Sequence, residues 1–231
     1  MSTKMEDITL SVVIPCYNEE DNIESLVKRV LASPVPNKEI IVVNDKSTDG
    51  TEQILRDVIE PLVSKVIYHT ENGGKGAALK TGFTHATGDF VIIQDADHEY
   101  DPNEYVDVLG PLLEGKTEVV YGSRFLNSKA KGYVANRVAN KFLTAFSNIF
   151  THEHLTDMET CYKCFKREVI QSIDIEEKRF GFEPEITAKI ADKKIKIVEV
   201  PISYAPRTVK EGKKIGFKDG LRAIICILKY H

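Results

Sequence analysis

Several features common in chains of this size are missing here. No apolar run reaches the ~20 residues needed to cross a bilayer. The opening MSTKMEDITL has no apolar signal core, so neither a membrane-spanning nor a secreted protein is expected. Cysteines are few: Cys16, Cys161, Cys164 and Cys226. Cys161 and Cys164 form one C-x-x-C with no second pair and no His-x-His partner, which favours reduced thiols over a zinc or redox site. The first strand-like run is followed by PCYNEE rather than G-x-G-x-x-G, which excludes a nicotinamide-type Rossmann turn. NGGKGAALKT does not fit G-x-x-x-x-G-K-[ST], so a Walker loop is excluded too. There is no internal repeat, no low-complexity tract and no compelling nucleophile–histidine pair. The expected location is cytoplasmic, and no nucleic-acid partner is expected.

What is present is a regular alternation. LSVVI (Leu10 to Ile14), EIIVV (Glu39 to Val43), KVIY (Lys65 to Tyr68) and FVIIQ (Phe90 to Gln94) read as buried strands. Between them, Glu20 to Ala32 carries Ile23, Leu26, Val27, Val30 and Leu31 at helical spacing. Asp49 and Glu52 resemble a capping box for a helix running to about Leu62, and ENGGKG opens another from Gly76 to about Ala86. Further on, the reading predicts a strand at Glu118 to Tyr121, a helix from Val134 to Phe150, and extended chain from Thr156 to Phe165. A helix from Phe182 to Ala191, a strand from Ile195 to Val200 and a last helix from Lys218 to Tyr230 complete it. Alternating strands and helices on short loops predict an α/β fold, a mostly parallel sheet with helices on both faces. Ligands then bind beyond the carboxyl ends of the strands, where YNEE, NDKSTD, TENGGKG and DADHE would wall one site.

The focus of that site is DADHE. Side chains alternate along a strand, so Asp95 and Asp97 leave the fourth strand on the same side. Two carboxylates that close repel unless a cation lies between them, and Mg2+ or Mn2+ fits oxygen ligands while keeping positions open for phosphate oxygens. Glu99 offers a third oxygen. The charge elsewhere is uneven although the chain is net acidic at −4. From Arg124 to His152 there are five cations and no acid, and from Arg207 to Arg222 six cations face two acids. Such stretches point to a polyanionic partner, phosphate groups or a membrane surface.

Together, VIPCYNEE, VVNDKSTDG, NGGKGAALKTG, QDADHEYDP, GSR and EVPISYAPRTVKEGKKI resemble the family 2 glycosyltransferases of GT-A fold. Within them the likeness is to dolichyl- or polyprenyl-phosphate sugar synthases, the dolichyl-phosphate mannose synthase type. It covers about Leu10 to Asp219 and rests on the order and spacing of six motifs. The resemblance implies one GT-A domain over residues 1–231, with a nucleotide-sugar half (10–125), an acceptor half (126–217) and a C-terminal helix (218–231). It implies that Pro15, Tyr17, Glu19 and Asp45 hold the base and ribose of a nucleotide-diphosphate sugar, with Lys75 near the diphosphate. Asp95 and Asp97 would bind the metal, with Glu99 where relatives often place glutamine. Arg124, Arg137, Lys213 and Lys214 would gather phosphate charge, and Asp157 would orient the acceptor or act as base.

The expected reaction is attack of a polyprenyl (dolichyl-type) phosphate oxygen on the anomeric carbon of the donor, with inversion implied by the resemblance. The nucleophile is already ionised, so a strong base is less necessary than for a hydroxyl. The helix bearing Phe142, Phe146, Ile149 and Phe150 beside Arg137 and Lys141 either lies on a membrane interface or docks on its own domain. Contact with membrane would be peripheral or through a partner subunit. Two rivals are a soluble or glycan acceptor and a non-catalytic nucleotide-sugar binding subunit.

Overall fold

The computed structural model describes residues 3–126, 134–207 and 217–230. Seven strands form one mixed sheet: β1 (Leu10–Cys16), β2 (Lys38–Asn44), β3 (Lys65–Tyr68), β4 (Phe90–Ile93), β5 (Val119–Ser123), β6 (Lys163–Lys166) and β7 (Ile197–Pro201). Their spatial order is β3-β2-β1-β4-β6-β5-β7. All neighbours are parallel except β6, which runs antiparallel to both β4 and β5. The helices among the described residues are α1 (Ile23–Ala32), α2 (Thr51–Ile54), α3 (Lys75–His85), α4 (Tyr105–Leu113), α5 (Val134–Thr151), α6 (Arg167–Gln171), α7 (Phe182–Asp192) and α8 (Phe217–Lys229). This is the mostly parallel α/β sheet expected from the alternation.

The core is where the apolar runs predicted it. Leu10, Val12, Val13 and Ile14 of β1 and Val91, Ile92 and Ile93 of β4 are buried, as strands covered on both faces require. Ile23, Leu26, Val27 and Val30 form the buried stripe of α1. α3 packs on β1 and β2, and α4 on β5, β6 and β7.

Some expectations are corrected. No capping box forms at Asp49: Glu52 pairs with Arg56 one turn on, at 2.9 Å, while Asp49 accepts from the Thr51 N–H at 3.0 Å. The helix that follows α2 widens to a π turn at Leu55–Ile59 and closes in a 3-10 turn at Glu60–Leu62. β5 runs on through Gly122 and Ser123. The 156–165 stretch is mostly loop, with only Lys163–Lys166 in the sheet.

β1 has β2 and β3 on one side and β4 on the other. The chain reverses direction of growth between β1 and β4, and the loops leaving their carboxyl ends diverge there. That divergence opens the crevice in which open α/β sheets bind ligands. PCYNEE leaves β1 and DADHE leaves β4, so the topology brings the two acidic loops to one crevice.

Candidate active site

The end of β4 is locked before the acids begin. Gln94 is fully buried, and its Oε1 accepts from Tyr105 at 2.7 Å and Tyr162 at 2.8 Å. Asp95 follows and receives the Lys75 ammonium at 2.9 Å. Lys75 also reaches Glu183, the second residue of α7, at 3.2 Å. Burial pulls the Lys75 ammonium down, but Asp95 and Glu183 outweigh it and hold it well above its ordinary value. A lysine opening a helix meets a like-signed dipole; these two carboxylates offset that cost. Asp95 is held below the usual carboxylate range: burial raises it, and Lys75 and a hydrogen bond from the Cys161 thiol more than reverse this.

Asp97 is buried and is pushed up to about 7, first by burial and then by the charges of Asp95 and Glu99. Arg207 opposes this from a direct ion pair with Asp97. The same guanidinium reaches Glu19 Oε2 at 3.2 Å, and its backbone N–H donates to Glu99 at 2.7 Å. Glu99 also accepts from Tyr204 at 3.0 Å. One arginine thus joins acids from the β1 loop and the β4 loop. Its Nε is buried without a hydrogen-bond partner.

Asp45, after β2, turns inward. Its oxygens accept the backbone N–H groups of Gly73 (2.8 Å) and Gly74 (2.6 Å), and His69 at 2.8 Å. It shapes the glycine-rich loop, where Gly74 has φ +86°, a region side chains disfavour. The β1 loop is knitted to the β2 loop: Asn18 and Glu19 donate backbone N–H groups to Ser47 (3.0 Å) and Thr51 (2.8 Å), and Gly50 donates to Glu20 (2.6 Å).

Across the crevice, Arg124 leaves β5. Asp157 is fully buried and takes Arg124 Nε and Nη2, each at 2.7 Å, and its backbone N–H at 3.0 Å. The loop carrying Asp157 is tied in turn to Glu199 of β7 through the N–H groups of Thr156 (2.8 Å) and Asp157 (2.9 Å). Next to it Glu159 is pushed up to about 8 by burial and by Glu183, and its Oε1 has no hydrogen-bond partner.

The structure therefore gathers Glu19, Lys75, Asp95, Asp97 and Glu99 in one crevice, with Pro15 and Tyr17 at the end of β1 beside it. Three expectations change. Asp157 is not placed as a base, because Arg124 holds both its oxygens. Glu99 has both oxygens engaged, one by the Tyr204 hydroxyl and one by the Arg207 backbone N–H, so an ion would share them with these donors. Among the described residues no three acids form a ready cation cluster, and Asp95 and Asp97 are each paired with a cation of the protein. Arg137 sits half-buried one turn ahead of Lys141, whose ammonium lies 5.4 Å from the Phe125 ring. Lys213 and Lys214 lie outside the described residues. Sequence reading placed Arg207 only at the head of a basic stretch and did not name Glu183. Arg207 ends the APR of the last quoted motif, but its acidic partners come from other loops, which spacing does not reveal.

The sequence profile described as "Glycosyl transferase family 2" matches residues 11–174. A "Low-salt glycan biosynthesis hexosyltransferase Agl6" of Haloferax volcanii is 30% identical over 95% of this chain and 53% of its own length. A "Dolichol-phosphate mannosyltransferase" of Pyrococcus furiosus is 29% identical over 96% of this chain and 64% of its own. The chain thus spans roughly half to two thirds of the length of these relatives. Among solved structures, glucosyl-3-phosphoglycerate synthase of Mycobacterium tuberculosis, in complex with Mn2+, UDP and glucosyl-3-phosphoglycerate, superposes with a TM-score of 0.74. It is 21% identical and is covered over 82% of its length by 98% of this chain; the likeness is one of fold.

Proposed function

The chain belongs to glycosyltransferase family 2, and from that premise we propose that it transfers a hexose from a nucleotide-diphosphate sugar to a polyprenyl phosphate. The acceptor phosphate oxygen forms the new bond to the anomeric carbon on the face opposite the leaving group. The bond from that carbon to the donor diphosphate breaks, and the nucleoside diphosphate leaves with the electron pair. No proton need be removed from an ionised phosphate, which suits a site where Asp157, expected to orient the acceptor or act as base, is an arginine's counter-ion.

The observation that carries this reading is the placement of acids and cations at the β1/β4 crevice. Asp97 is a carboxylate whose proton affinity is raised first by burial and then by Asp95 and Glu99, and Arg207 is drawn against it. A site that attracts its own cation this way fits a divalent ion, and Asp95 and Asp97 would hold Mg2+ or Mn2+. When bound, the ion neutralises charge building on the leaving diphosphate. Lys75 keeps Asp95 ionised and oriented. Asp157 fixes the Arg124 guanidinium by Nε and Nη2 and leaves Nη1 to face a phosphate. The relatives' names support a lipid-phosphate acceptor, and the Mn2+ and UDP held by the M. tuberculosis enzyme support the donor and the metal.

We assign residues 10–125 to the donor and 126–217 to the acceptor. α5 and α8 pack together, and Val138, Phe142 and Ile149 of the first and Leu221, Ile225 and Leu228 of the second are exposed. No helix among the described residues is long and apolar enough to cross a membrane. The paired helices are read as a peripheral contact with the bilayer that carries the acceptor.

Glu159 favours a second reading. A buried carboxyl pushed to about 8 with an unpartnered oxygen suits a general base for a hydroxyl acceptor. One experiment separates the two: labelled nucleotide-sugars are offered with polyprenyl phosphate or with soluble sugars, with and without chelator, to the wild type and Glu159→Gln. Labelled lipid that vanishes with chelator and persists in Glu159→Gln supports the phosphate acceptor. Label only in soluble product, lost in Glu159→Gln, overturns it.

A further inference from the structure

No residue of α8 is given a part in the reaction, yet a buried acid joins α8 to the start of α3. Glu177, in the loop before α7, is 6% exposed. Its carboxylate accepts Arg222 Nε at 3.0 Å and Nη2 at 2.6 Å, and the Tyr230 hydroxyl at 3.0 Å. These partners lie on α8 or immediately after it. The join is tight: a Cβ on Gly181 would come within 2.7 Å of both Cys226 Sγ and Glu177 Oε2.

The other side of Glu177 is its own backbone, which presses on the start of α3. A Cβ on Gly76 would stand 2.0 Å from the Glu177 carbonyl oxygen, so only glycine permits this approach. The next carbonyl, Lys178, accepts the Ala77 N–H at 3.1 Å. The Glu176 and Glu177 N–H groups are in turn fixed by the Glu185 carboxylate at 2.7 and 2.8 Å. Lys75, the first residue of α3, carries Asp95 and Glu183. An unbroken set of contacts therefore runs from Arg222 through Glu177 and two peptide groups to the lysine that orients Asp95.

We infer that Glu177, held by Arg222 and Tyr230, is a positioning residue of the donor pocket. It sets the 177–178 backbone against α3 and thereby sets where Lys75 holds Asp95. This rests on the donor-site reading above. Loosening the clasp lets α3 begin elsewhere and weakens donor binding, while the bond-making groups keep their identity. A merely structural clasp would change stability and leave the pocket's affinity alone.

The test measures binding of UDP and GDP with Mn2+, donor KM and kcat, and thermal melting. The variants are Arg222→Gln, Arg222→Lys and the isosteric Glu177→Gln. Arg222→Gln and Glu177→Gln are expected to weaken nucleotide binding and raise donor KM by roughly fivefold or more, the usual lower range of coupling between sites. At saturating donor kcat stays near wild type, melting is little changed, and Arg222→Lys recovers part of the affinity. Nucleotide affinity equal to wild type in both Gln variants overturns the inference. So does a loss of melting temperature and kcat together, with no gain from lysine. Wild-type protein that binds neither nucleotide would instead reject the donor-site reading itself.

Discussion

Asp157 shows what a residue type conceals. An aspartate in an acceptor-side loop reads equally as base, acceptor guide or turn residue, because nothing in TDMETCYK says which cation it meets. The meeting is with Arg124, thirty-three positions earlier, through two oxygens. Both partners are buried, so removing the aspartate leaves a guanidinium uncompensated. Asp157→Asn is expected to cost about 3–5 kcal/mol of folding stability and to abolish turnover, measured by denaturant unfolding and by transfer assay. A base would instead give a stable, slow enzyme. Lys75 is the converse case. It was expected beside the donor diphosphate, and in the structure its ammonium is paired with Asp95 and Glu183. Arg207 was not legible as a site residue, since its partners Glu19 and Asp97 stand 188 and 110 positions away.

Among elements, those announced by apolar runs or by a long stripe are the ones the sequence makes plain: β1 to β4, α1, α5, α7 and α8. α4 has no counterpart in the sequence reading. Its Gly110-Pro111 reads as a turn, yet Val108, Leu109, Leu112 and Leu113 bury it against the sheet and hold the helix through the proline. The capping box fails for a similar reason, since Glu52 has a better partner in Arg56. α5 docks on its own domain by one face and leaves an apolar face exposed, the face assigned above to the bilayer. Leu143, Thr144 and Ser147 face inward, while Phe142 and Ile149 are 58% and 67% exposed. On α8, Ala223, Cys226 and Ile227 are buried and Ile225 is 52% exposed. Phe142→Ser with Ile225→Ser is expected to lower binding to phospholipid vesicles, each inserted side chain contributing about 1.5–3 kcal/mol. Melting should change little, because both side chains are mostly exposed and the Phe142 ring stacks on Phe146 at the surface of the helix. Flotation of wild type and double variant checks both points.

At the scale of the molecule, the crevice exists because β1 sends β2 and β3 one way and β4 the other, and strand order is a property no local stretch displays. The acids meeting there already have internal partners: Lys75 for Asp95 and Arg207 for Asp97. Folding therefore does not wait for an ion. Chelator is expected to leave the melting temperature unchanged while abolishing UDP or GDP binding, as calorimetry with and without Mn2+ will show. A drop in melting on chelation alone would mean that the ion is part of the fold. The reversed strand β6 has its own outcome. Because it runs against its neighbours, the chain departs from β5 and returns to β6 at the same rim. The excursion between is clasped at its neck by the Gly122 N–H on the Tyr162 carbonyl at 2.7 Å, by Ser123 on Thr156 at 2.6 Å, and by Arg124 on Asp157. Such a closed handle can be exchanged for one of another length or chemistry with the sheet left whole. On the donor and acceptor assignment proposed above, a change of acceptor would need a new handle and no new strand.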